Sequence, residues 1–69
     1  MANNDKNETL SPTDFLGKKY FDIGEKYFTG DGVTVDFARA ASNYAQSAKL
    51  GYIHGIFSLC VCYIRGYGV

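Results

Sequence analysis

The chain has no tryptophan, one proline, one histidine and two cysteines, and its seven basic and seven acidic side chains leave no net charge. Each shortage removes a class of function. Zero net charge argues against nucleic-acid or membrane-surface binding that rests on bulk electrostatics. Long hydrophobic runs are also missing, since none approaches the roughly 20 apolar residues of a membrane span. The opening stretch MANNDKNET has neither the basic start nor the apolar core of a secretory signal. The reading is a flexible tail over residues 1–10 of a cytoplasmic protein, with Asn7-Glu8-Thr9 a chance match to the glycosylation sequon. Cys60 and Cys62 are two positions apart, which on a helix points them ~200° away from each other. They therefore neither bridge nor hold a metal together, and His54 lies on a different bearing from either. Both cysteines are expected to be small buried hydrophobes in a reducing compartment. No metal or cofactor is expected.

What the sequence does have is glycine, eight of them, and an aromatic content of 16%. An apolar fraction of 46% is too high for a disordered chain. At 69 residues there is room for one small domain, whose core rarely contributes more than ~3–5 kcal/mol unaided. The glycines mark an internal repeat. Tyr20–Val33 (YFDIGEKYFTGDGV) laid on Ile56–Val69 (IFSLCVCYIRGYGV) gives five identities in fourteen positions. They pair Phe21 with Phe57, Tyr27 with Tyr63, Gly30 with Gly66, Gly32 with Gly68 and Val33 with Val69, each 36 residues apart. That period lies within the range of helical solenoid repeats.

Helical periodicity fills the repeat. Leu16, Tyr20, Ile23 and Tyr27 form one stripe, and Gly17, Phe21, Gly24 and Phe28 form a second beside it. Lys18, Asp22, Glu25 and Thr29 lie opposite. Ser11 is placed to cap this helix, with Pro12 at its first position. Gly30-Asp31-Gly32-Val33 ends it by allowing positive φ and a tight reversal. Asp36 is placed to cap a second helix with the stripe Phe37, Ala41, Tyr44 and Ala48, thin enough for a neighbour to approach closely. Gly51 closes that helix, and a third repeats the first. The expected helices are 12–29, 36–50 and 53–65, all within a segment 11–69. No period-two strand pattern occurs, so the fold is all-α.

Ile23-Gly24, Tyr27, Gly30-x-Gly32-Val33, Asp36, Ala40, Tyr44, Ala48 and Gly51 at this period resemble the Sel-one-like repeat (SLR) family, a relative of the tetratricopeptide repeat. The tetratricopeptide period is 34, without the Gly-x-Gly-Val loop. The resemblance covers one repeat, about Gly17 to Tyr52, and the opening of a second. It implies an α-solenoid of antiparallel helical hairpins, here about one and a half repeats. Two positions depart from the pattern: Cys60 replaces the small Gly24 position, and Asn43 stands where an aromatic is frequent. Some cysteine-rich members bind penicillin and carry disulfides between neighbouring helices. Cys60 and Cys62 share one helix, so that activity does not carry over.

Catalytic motifs fail on context. Gly30-x-Gly32 follows a helix, whereas a dinucleotide loop follows a strand and needs a third glycine. Asp31 and Asp36 have no nucleophile or second titrating group beside them for acid–base work. His54 reads as surface or interface packing. What remains is a non-enzymatic protein-interaction module, since the first helix of each hairpin lines the concave face that solenoids use for partners. The concave candidates are Lys18, Asp22, Glu25 and Thr29 on the first helix, and His54, Ser58, Val61 and Arg65 on the third. Gly30, Gly32, Gly51, Gly66 and Gly68 are the structural turns. The resemblance implies a scaffold or adaptor for a protein partner. An immunity- or inhibitor-type protein that blocks one cognate target is the alternative, and a β-lactam-binding or cell-wall enzyme a more distant one. The third helix, IHGIFSLCVCYIR, is apolar nearly all round, and such helices are normally covered on both sides. The expectation is therefore a homo-oligomer, with third helices packed across a two-fold axis, or a piece of a longer array.

Overall fold

A computed structural model describes residues 11–69. The tail assigned to residues 1–10 and the Asn7 sequon lie outside the described residues. Three helices follow in order, α1 (Pro12–Thr29), α2 (Phe37–Lys49) and α3 (Ile53–Arg65), and no strand occurs among the described residues. The chain is all-α.

Local chemistry sets each boundary. Ser11 is extended, and its Oγ accepts the Asp14 N–H at 3.1 Å. Pro12 then opens α1 where its missing N–H costs nothing. Asp36 does the same for α2, accepting the Arg39 N–H at 3.0 Å. The start of α3 has no side-chain cap, because Tyr52 stands at that position.

The two Gly-x-Gly-Val loops take one backbone course. Gly30 ends α1 at φ 79° and Gly66 ends α3 at φ 74°, both in the left-handed region. In the first loop the N–H groups of Gly30 and Asp31 both donate to the Lys26 carbonyl; in the second, those of Gly66 and Tyr67 donate to the Cys62 carbonyl. This paired bonding satisfies carbonyls that a helix end leaves orphaned.

α1 and α3 each pack against α2, and Phe21 of α1 also reaches the start of α3, its ring centroid 5.7 Å from Tyr52 and 5.9 Å from His54. α2 is the middle element. Along one side it meets α1, where Gly24 is buried under the Tyr44 ring and Gly17 receives the Ser47 hydroxyl on its carbonyl at 2.7 Å. Along the other it meets α3, where Gly55 is buried against Ser47 and Cys62 is fully enclosed. The order of these contacts makes each neighbouring pair antiparallel.

The enclosed apolar core is small, consisting of Ala40, Ala41, Tyr44 and Cys62, with Phe21, Tyr27, Phe28, Leu59 and Tyr67 packed around it. Tyr67 brings the second loop back onto the first hairpin, its ring 5.3 Å from Phe28 and 5.0 Å from Phe37.

Two expectations need correction. The buried stripe of α2 is Ala40, Ala41, Tyr44 and Ser47, not Phe37, Ala41, Tyr44 and Ala48. A helix gripped from both sides buries a wider arc than a one-sided stripe describes, and Ser47 lies within it because both contacting positions are glycine. Cys60 is exposed rather than buried; only Cys62 points inward. Gly24, one repeat earlier, is covered by Tyr44 of α2, whereas no described helix lies against α3 on the Cys60 side.

Candidate functional site

The parallel helices α1 and α3 flank α2 and leave a groove between them. Glu25, Phe28 and Thr29 of α1 form one wall, Phe57, Ser58 and Val61 of α3 the other, and Tyr44 of α2 the floor, around a volume of about 340 Å³. The lining is mostly hydrocarbon and aromatic ring. Its one acidic side chain, Glu25, accepts a hydrogen bond on Oε2 from the Tyr44 hydroxyl at 3.0 Å. Burial, reinforced by this bond to Glu25, pushes the Tyr44 phenol well above the ordinary tyrosine range. The phenol therefore stays a neutral donor under all ordinary conditions. The Thr29 hydroxyl turns inward on its own helix, donating to the Glu25 carbonyl at 2.8 Å.

Four of the eight concave candidates meet here: Glu25, Thr29, Ser58 and Val61. The other four do not line the groove. Lys18 and Asp22 pair with each other at 2.9 Å on exposed α1, beside a separate recess shared with Phe15 and Lys19. That contact, mainly its hydrogen bond, raises the Lys18 amine above its usual value. His54 joins an aromatic cluster, its ring centroid 5.9 Å from Phe21 and 5.4 Å from Tyr52. Arg65 is exposed in the last turn of α3, where its positive charge complements the helix C-terminus. All five glycines expected to turn the chain, Gly30, Gly32, Gly51, Gly66 and Gly68, have positive φ.

The groove's aromatic lining, Phe28, Tyr44 and Phe57, was absent from the sequence-based candidates. Phe57 is the instructive one. Its repeat partner Phe21 is half-buried against α2, which marks both as core positions. Phe57 is instead 69% exposed, and beside it Ile53, Tyr63 and Ile64 are 66%, 63% and 81% exposed. The repeat alignment itself held the signal, because it places on α3 an apolar face equivalent to the one α1 buries on α2.

No three His, Cys, Asp or Glu side chains gather in ligand geometry among the described residues. None of the described helices is long and apolar enough to cross a membrane. Compared with family models, curated proteins and solved structures, the chain matches none.

Proposed function

We propose that the chain is a protein-interaction module of SLR type, in which α1 and α2 form one hairpin repeat and α3 opens the next. It acts as a scaffold or adaptor, without catalysis, and a segment of a partner protein lies in the groove between α1 and α3. The observation that supports this most directly is the groove itself: open, apolar, floored by a buried tyrosine, and walled by α1 and α3. Shallow apolar grooves with a few fixed polar groups suit extended or helical peptide segments. On the same reading the outer face of α3 receives an α2-like helix, from a further repeat or from a second copy of the chain. The bonding shared by the two Gly-x-Gly-Val loops supports this, because the first such loop leads directly into α2.

The test is a selection of peptides from a displayed library against the purified chain, with binders mapped by amide chemical shifts. Shifts centred on Glu25, Phe28, Phe57 and Val61 are expected. A library that yields no binder, or binders mapping only to Leu16, Lys19 and Ile23 on the far side of α1, overturns the reading.

A further inference from the structure

We infer that the groove between α1 and α3 selects a basic side chain, arginine or lysine, set among apolar residues of the partner segment. The inference rests on the docking role proposed above and specifies what the groove recognises. Its basis is charge complementarity. Glu25 is the only acidic or basic side chain among the lining residues, and Phe28, Tyr44 and Phe57 surround it with ring surface. Tyr44 holds Oε2 from below at 3.0 Å. Among the described residues, no lysine or arginine lies within ion-pair distance of this carboxylate; the ion pairs present join Lys18 to Asp22 and Arg39 to Asp36.

A carboxylate set in a largely apolar recess, with no cation beside it among the described residues, is matched best by a ligand that brings one. Removing part of its water strengthens the attraction to an incoming cation. The aromatic walls favour the same ligand, since a guanidinium or ammonium within about 6 Å of a ring centroid is attracted to the ring face. They also cover the methylene stem of such a side chain, which an acidic or short polar residue lacks. An acidic side chain meets repulsion from Glu25, and a purely apolar one further desolvates the carboxylate with only the Tyr44 hydroxyl to offset the cost. Val61 occupies the α3 position equivalent to Glu25, so the negative charge stands on one wall only.

The test is an amide NMR titration of the chain with the acetylated peptide amide Leu-Arg-Leu and with its neutral isostere carrying citrulline. The arginine peptide is expected to shift Glu25, Phe28, Phe57 and Val61, and to bind about fivefold more tightly than the citrulline peptide, as a partly exposed ion pair allows. Glu25→Gln keeps a carbonyl acceptor for Tyr44, so the fold persists. It should weaken the arginine peptide to the citrulline level and leave the citrulline peptide unaffected, a non-additive cycle that isolates the pair. Equal binding of both peptides in the groove overturns the charge assignment and leaves the docking role standing. No shift in the groove with either peptide overturns both.

Discussion

Tyr44 belongs at once to the core and to the groove floor, and its hydroxyl ties the two together through Glu25. The neutral phenol is favoured in the folded state by burial first and by the carboxylate second. A proton held more tightly by the folded than by the unfolded chain adds stability below the unfolded pKa, near ~10 for tyrosine. That contribution is lost as pH rises from there toward the higher folded value. Urea unfolding between pH 8 and 11 should therefore show stability falling above about pH 10. Tyr44→Phe should flatten this decline and cost about 1 kcal/mol at neutral pH through the missing hydrogen bond. A variant that keeps the full alkaline decline would remove Tyr44 as its source. Cys62 follows the same physics, burial alone pushing its thiol upward, while Cys60 faces solvent.

Among the helices, close approach is what lets α2 fit between its neighbours. A Cβ added at Gly55 would run into the Ser47 side chain, and one added at Gly24 would sit 2.8 Å from the Tyr44 ring. Alanine is the better helix former by about 1 kcal/mol, so an unpacked glycine replaced by alanine would gain stability. Gly55→Ala should do the reverse and lower stability by about 1–3 kcal/mol through overpacking. The check is thermal unfolding of Gly55→Ala and of Gly55→Ala combined with Ser47→Ala, which should recover part of the loss. The helices and their ends were legible because local signals fix them: Ser11 and Asp36 as caps, and glycines where φ must be positive. The groove was only half legible. Polar residues opposite the apolar stripes pointed to Glu25, Thr29 and Ser58, and the repeat counterpart of Glu25 to Val61. Phe28 and Tyr44 stood on apolar stripes and Phe57 on a helix apolar nearly all round, and such patterns reveal that a residue is apolar but not whether a neighbour covers it. Gly55 was passed over for a related reason: its need for space comes from Ser47, eight positions earlier on another helix.

For the whole molecule, three helices around so small a core leave wide apolar surface in water. The outer face of α3 presents Ile53, Phe57 and Ile64 together, and clustered exposure of this kind marks an association surface. The chain should sediment as a dimer or larger species at micromolar concentration. Ile64→Glu, at the most exposed of these positions, should shift it toward monomer with unchanged helical circular dichroism. A wild-type chain that sediments as a folded monomer would show that this face stands alone in solution. With balanced charge the self-association should respond weakly to salt, unlike the arginine peptide in the groove.

The Ser47 hydroxyl, bonded to Gly17 and pressed against Gly55, acts as a clasp through which all three helices pass at one level. Either outer helix can peel from α2 at its far end while the clasp holds. α2 itself cannot loosen until both neighbours have left. Amide exchange should therefore be slowest in the middle of α2 and should report the opening of the entire molecule there, with faster and graded opening outward along α1 and α3. A ligand bridging the groove holds those two outer helices to each other, and its grip would be felt most at the element it scarcely touches.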